Sequence, residues 1–238
     1  MTAFPSRPLA DLPNVTAQQM RVVDELMVGE FGIDLVRMME NAGRALADVA
    51  VRRYEPRSVA VLAGTGGNGG GGLVAARHLA NRGVSVSVSV TDDTALGPVP
   101  GEQLTALRRL GVEPDPEPQR ADVVIDALVG YSLRGALSGR AERLADWANA
   151  QREPTLALDL PSGLDATSGR IAGTSVEAEA TVTLALVKRG LVDSPVVGCL
   201  YLADISVPAR LWARLDVPVP RDLFAVGQVL ELTRPEAR

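Results

Sequence analysis

This sequence predicts an α/β fold: an open, mostly parallel sheet covered by helices on both faces. Three observations carry that expectation. Short apolar runs alternate with helix-compatible segments, without internal repeats or low-complexity tracts. One run, Asp122-Val-Val-Ile-Asp-Ala-Leu128, is apolar enough for a strand buried on both faces. The third is the glycine stretch Gly64-Thr-Gly-Gly-Asn-Gly-Gly-Gly-Gly72, wedged between Ser58-Val-Ala-Val-Leu62 and Leu73-Val-Ala-Ala-Arg-His-Leu79. Strand, glycine turn and helix in that order describe a phosphate-binding loop. Glycines take positive φ and approach a ligand closely, and free N–H groups at the helix start offer it partial positive charge. A flexible linker would be flanked by polar sequence, and this stretch is flanked by apolar segments.

The elements follow in order. Thr16-Ala-Gln-Gln19 reads as a Thr-x-x-Gln capping box that starts a helix running to about residue 28, where Gly32 soon interrupts. Leu35, Met39, Ala42, Leu46 and Val49 recur at steps of three and four, marking a second helix ahead of the first strand. After the glycine stretch, Val84-Ser-Val-Ser-Val-Ser-Val90 alternates strictly, as a strand with one small polar face does. A short helix over 101–110 leads to the 122–128 strand, and 137–150 is helical again. Thr155-Leu-Ala-Leu-Asp-Leu160 is a further strand ended by Pro161-Ser-Gly163, followed by Thr181-Val-Thr-Leu-Ala-Leu-Val187 and by 196–205. The last twenty or so residues, rich in proline, are expected to form a tail or a packing arm within 206–238.

The 238 residues, 46% hydrophobic, suffice for one sizeable core and predict a single domain over 1–238. A net charge of −5, without a basic run or an aromatic platform, argues against nucleic acid or an anionic membrane as the main partner. The one cysteine, Cys199, excludes an internal disulfide framework. Met1-Thr-Ala-Phe-Pro-Ser-Arg-Pro8 lacks the apolar core of a signal peptide, and no run reaches the length of a membrane span. A soluble, cytoplasmic protein is expected.

Ligands of open α/β sheets sit beyond the carboxyl ends of the strands. That filter selects the glycine loop, Asp126 with the turn Gly130-Tyr-Ser-Leu-Arg-Gly135, Asp159 with Ser162, and Lys188. Aspartates at strand ends commonly cap helices or form turns, so neither is telling alone. Lys188 says more, because it is the chain's one lysine among many arginines. A desolvated amine exchanges a proton where a guanidinium does not. The bland alternative is a surface lysine in an arginine-biased sequence. His78, the one histidine, has no evident carboxylate or cysteine partner and reads as structural.

Four motifs together carry a resemblance: Met39-Glu-Asn-Ala-Gly43, the glycine stretch running into Leu73-Val-Ala-Ala-Arg-His-Leu79, Asp126-Ala-Leu-Val-Gly-Tyr-Ser-Leu-Arg-Gly135, and Leu158-Asp-Leu-Pro-Ser-Gly163. Their order resembles the NAD(P)H-hydrate epimerase family, the YjeF N-terminal domain, from about Thr16 to about Ile205. The resemblance implies a three-layer αβα sandwich with a Rossmann-like sheet, commonly dimeric, that interconverts the R and S forms of hydrated NADH or NADPH (NADHX and NADPHX). It places potassium ligands on Asn68, Asp126 and Ser162. Substrate contacts fall on Gly67, Asn68, Gly69, Gly70 and Gly71, on Gly130, Tyr131, Ser132, Leu133, Arg134, Gly135 and Ala136, and on Asp159. In many members a kinase-like dehydratase domain follows; 238 residues do not hold it, so a separate dehydratase partner is implied.

This chain departs from the family loop Asn-Asn-Gly-Gly-Asp by carrying Gly67 and Gly71 at its two ends, and Ala136 replaces a residue that is polar in some members. The reaction needs groups to protonate a departing hydroxyl and to activate a returning water, together with negative charge beside the cation-like carbon. Asp159 and Lys188 are the candidates for the acid/base pair. Two other functions fit parts of the sequence. Gly64-Thr-Gly-Gly-Asn-Gly69 satisfies G-x-G-x-x-G with Asp92 or Asp93 ending the next strand, as in an NAD(P)-dependent oxidoreductase. Gly67 and Gly71 also suit a non-catalytic binding or scaffold protein that keeps the fold.

Overall fold

A computed structural model describes residues 3–234, so the extremes of the 1–238 domain and residues 235–238 of the expected arm lie outside the described residues. The chain runs through β1 (Ser6–Pro8), β2 (Asn14–Val15), α1 (Ala17–Gly29), α2 (Leu35–Tyr54), β3 (Ser58–Ala63), α3 (Gly67–Ala80), β4 (Ser85–Val90) and α4 (Pro98–Arg109). It continues through β5 (Val123–Ala127), α5 (Gly139–Asn149), β6 (Thr155–Leu158), β7 (Ala180–Leu184), β8 (Val187–Lys188), β9 (Cys199–Ala203), α6 (Ala209–Arg214) and β10 (Val229–Thr233).

The eight-stranded sheet has the order β1-β10-β9-β7-β6-β5-β3-β4. From β9 to β4 every neighbouring pair is parallel, and β10 closes antiparallel against β9. The chain leaves β3 for β4 at the edge and returns to β5 on the other side of β3, so the strand order reverses between β4 and β5. A crevice at the carboxyl ends of β3 and β5 is the geometric consequence, and it is where open α/β sheets bind ligands.

Side-chain alternation sorts the strands' residues into two layers. Val59, Val61, Val123, Ile125, Tyr201 and Ala203 face Leu46, Leu73, Leu79, Leu104 and Leu107 of α2, α3 and α4. On the opposite face, Leu62 and Val124 meet Leu144 and Ala148 of α5, while Leu200, Leu202 and Leu230 meet Met20 and Met27 of α1 and Leu211 of α6. Three layers result, as expected.

The capping box at α1 is present in full. Gln19 N donates to Thr16 Oγ1 (3.2 Å) and Thr16 N donates to Gln19 Oε1 (2.9 Å). Thr16→Ala is therefore expected to lower stability by about 1 kcal/mol in urea denaturation, without changing the slope of the transition.

The expected C-terminal arm proves to be more than a tail. Residues 209–214 form α6, and 229–233 form β10 inside the main sheet, with β1 pairing parallel beyond it. The proline-rich stretch between them hid a strand whose hydrogen-bond partners lie at the other end of the chain. The run read as one strand over 181–187 is likewise two. It breaks at Ala185, whose φ is 65°, and β8 turns off to pair with β2.

Candidate active site

The positive φ expected of the glycine stretch is absent. Only 64–66 form a loop; from Gly67 onward the chain is α3, and none of these glycines takes a positive φ. What they provide is close packing. A Cβ on Gly69 would stand 1.9 Å from Gly64 O, and one on Gly72 would stand 2.5 Å from Ala127 Cβ. The helix start thereby nests against the ends of β3 and β5, with its first amides directed at the crevice. Gly71 meets a different neighbour: its Cβ would lie 2.7 Å from Leu158 Cδ2, so leucine occupies the room that the family's aspartate would need.

Asp126 alternates onto the α5 side of β5 and is completely buried. Its Oδ1 accepts from Ser162 Oγ (2.7 Å) and Leu128 N (3.1 Å), and its Oδ2 accepts from Ser162 N (2.7 Å). Burial pushes its pKa up to about 6, while the bonds from Ser162 and Leu128 hold it back from rising further. Ser162 Oγ also accepts from Val129 N (2.9 Å), tying the loop after β5 to the loop after β6.

Asp159, immediately after β6, has a φ of 68°, a left-handed conformation that aspartate tolerates better than most residues. Such strain on a buried polar residue commonly marks a functional position. Its Oδ2 accepts from Tyr131 N (3.0 Å), and its Oδ1 forms an ion pair with Lys188 Nζ. Lys188 is fully buried, which excludes the surface-lysine alternative. Its Nζ also donates to Leu184 O (2.7 Å) and Thr183 Oγ1 (3.3 Å), so its ammonium protons are directed inward by β7.

These groups open on a cavity of about 280 Å³, just below the usual range for ligand pockets. Gly67, Asn68, Gly71, Gly130, Tyr131, Ser132, Asp159 and Lys188 line it. Gly130 forms the joint: a Cβ there would stand 2.9 Å from Asp159 Oδ2 and 3.2 Å from Asn68 Oδ1. The remaining expected contacts lie elsewhere. Gly69 and Gly70 are buried beneath the helix start, Leu133 packs toward α5, and Arg134, Gly135 and Ala136 are exposed outside the cavity wall. Asp126 and Ser162 also stay off the wall, behind the loops that carry it.

Asp126 is a buried carboxylate whose hydrogen-bond partners are all neutral, and Asn68 Nδ2 is buried without a partner among the described residues. Among the described residues no three His, Cys, Asp or Glu side chains cluster as a metal site would require.

Sequence reasoning missed the wall contributed by the N-terminal helices: Met20, Asp24, Leu35, Met38, Met39 and Ala42. Asp24 was the legible one, a carboxylate sharing its helical face with buried Met20, Val23 and Met27. His78 does have a carboxylate partner, Glu40 of α2, at 2.8 Å. That bond joins α2 to α3 and leaves His78 off the cavity wall. Asp92 accepts from Thr94, and Asp93 pairs with Arg108 (2.9 Å), so neither lines the cavity as a ribose-binding acid would. Among the described residues no helix is long and apolar enough to cross a membrane.

Comparison with known proteins agrees with this geometry. Residues 36–190 match the family described as YjeF-related protein N-terminus. An NAD(P)H-hydrate epimerase of Dehalogenimonas lykanthroporepellens is 45% identical over 230 residues, covering 93% of this chain and 94% of that protein. A bifunctional NAD(P)H-hydrate repair enzyme of Moorella thermoacetica is 36% identical over 84% of this chain, which spans 41% of its length. A yeast crystal structure, ynu0, superposes with a TM-score of 0.79 at 22% identity, covering 93% of this chain and all of that one, a likeness of fold.

Proposed function

Because the chain belongs to the YjeF-related N-terminal family, we propose that it is an NAD(P)H-hydrate epimerase, an isomerase that interconverts the R and S forms of hydrated NADH and NADPH in nucleotide repair. The observation that carries this reading is the buried Lys188–Asp159 ion pair, facing a cavity at the carboxyl ends of the strands.

The chemistry follows from the substrate. Its hydroxyl sits on a ring carbon that also bears nitrogen, so the nitrogen lone pair assists departure of the oxygen and leaves a planar, cation-like centre. Return of water to the opposite face inverts the carbon. The Asp159 carboxylate is held by Lys188 Nζ and Tyr131 N, and it supplies negative charge to that centre. Asp159 and Lys188 exchange the proton with the oxygen at the ring face turned to them. The helix-start amides of Gly67 and Asn68 favour the diphosphate. With Gly71 in place of an acid, no carboxylate repels it there.

A potassium ion held by the side-chain oxygens of Asn68, Asp126 and Ser162 would neutralise the buried Asp126 carboxylate and stiffen the loops after β5 and β6 that Asp126 and Ser162 join. We also propose a homodimer in the cytoplasm, working beside a separate dehydratase.

The test adds the protein to hydrated NADPH with an S-specific dehydratase. The R fraction is expected to disappear faster than it does spontaneously, and no acceleration at high enzyme concentration would overturn the reading. Exchanging potassium for choline is expected to slow the reaction in wild type but not in Asp126→Ala; equal wild-type rates in both salts would remove the cation from the proposal.

A further inference from the structure

The cavity has a second polar wall that the Asp159–Lys188 pair does not use. Asp24 reaches it from α1, and its Oδ2 accepts a short hydrogen bond from the Tyr131 phenol. The same Tyr131 donates its backbone N–H to Asp159 Oδ2. Two carboxylates therefore bond the two ends of one tyrosine, one on a helix and one at a strand end, and both line the cavity.

Epimerisation needs such a pair. The hydroxyl departs from one face of the ring and water arrives at the other, and a single proton-handling group reaches only one of those faces. We propose that Asp24 is a second catalytic carboxyl of this site, handling the proton at the ring face turned to α1 while Asp159 and Lys188 handle it at the opposite face. The proposal rests on the epimerase reading above.

The step balances. The carbon–oxygen bond breaks with its electron pair leaving on oxygen, which takes a proton from one carboxyl and departs as water. Water then adds to the opposite face and yields a proton to the other carboxyl. The reverse direction exchanges the two roles, and no oxidant, reductant or co-substrate is consumed.

The surroundings of Asp24 suit proton exchange. Burial pushes its pKa up, the Tyr131 hydrogen bond and the Lys188 charge pull it down, and Asp159 pushes it up again. Burial and the Asp24 charge keep the Tyr131 phenol protonated, with Arg21, one turn earlier on α1, acting weakly the other way. A merely structural Asp24 would anchor α1 to the turn after β5 and nothing more.

Exchange of hydrated NADPH is measured over a pH series for wild type, Asp24→Asn, Asp24→Ala and Tyr131→Phe, alongside thermal melts. Asp24→Asn is expected to lower kcat by about 100-fold or more. Added formate is expected to restore part of the Asp24→Ala rate. Tyr131→Phe removes the bond that lowers the Asp24 pKa, so the limb of the pH profile assigned to Asp24 is expected to move to higher pH. Wild-type kcat in Asp24→Asn overturns the role of Asp24 while leaving the epimerase reading intact. So does an Asp24→Ala loss that formate does not restore and that follows a fallen melting point. A wild type without exchange activity overturns both.

Discussion

Lys188→Met is expected to lower folding stability by roughly 3–5 kcal/mol, the range for removing one partner of a buried ion pair, and to slow epimerisation by about 10²–10⁴-fold. The stability loss arises from what remains. Asp159 is left with the Tyr131 N–H and no counter-charge in a site where its side chain is almost completely buried. Adding Asp159→Asn to Lys188→Met neutralises the stranded carboxylate. Asparagine also tolerates the positive φ of 68° at this position, so the double variant should recover much of the stability. It should not recover the rate. Urea denaturation alongside the exchange assay separates the two effects. A Lys188→Met protein with the wild-type rate would remove the pair from the mechanism, and a double variant no more stable than Lys188→Met would remove the stranded charge as the cause of instability.

Gly69→Ala is expected to be nearly as damaging, by a different route. Its Cβ would stand 1.9 Å from Gly64 O and 2.5 Å from Gly64 C, both backbone atoms that no rotamer change can move. The helix start must shift away from β3, which costs roughly 3 kcal/mol or somewhat more. The shift carries Asn68 away from Gly130 and Asp159, so substrate affinity falls with stability. Gly66→Ala is the control: no atom lies within 4 Å of its Cβ and its backbone is extended, so it loses at most about 1 kcal/mol, the cost of alanine at this N-cap of α3. Equal melting temperatures for Gly69→Ala and wild type would show that close packing is not what the glycine supplies.

Local pattern made most of the architecture legible. The Thr16–Gln19 box, the apolar stripe from Leu35 to Val49 and the largely apolar runs at 58–62 and 122–128 each depend on residues within a turn or two of one another, and each became the expected element. β1 and β2 escaped notice because they are short, and β10 because it follows a proline-rich stretch; β1 and β2 also take their partners from far along the chain: Ser6 opposite Glu231, and Val15 opposite Lys188. The site divides in the same way. Asp126, Asp159, Ser162 and Lys188 stood out as polar residues at strand ends. Asp24 was marked only as a carboxylate on a helical face of buried residues, a signal that names no partner until Tyr131 is set opposite it.

By itself the sequence determined the order of helices and strands, the end of the sheet that carries the chemistry, and the family. Side-chain periodicity and motif spacing are short-range properties that a chain displays without being folded. The tertiary structure alone decided that the glycines serve packing rather than positive φ, that Leu158 stands where the family's aspartate would reach, and that Lys188 is buried against Asp159. It also decided that Asp24 shares their cavity. Those outcomes depend on which atoms meet across the sheet and between layers, and such distances exist only once the strands have paired.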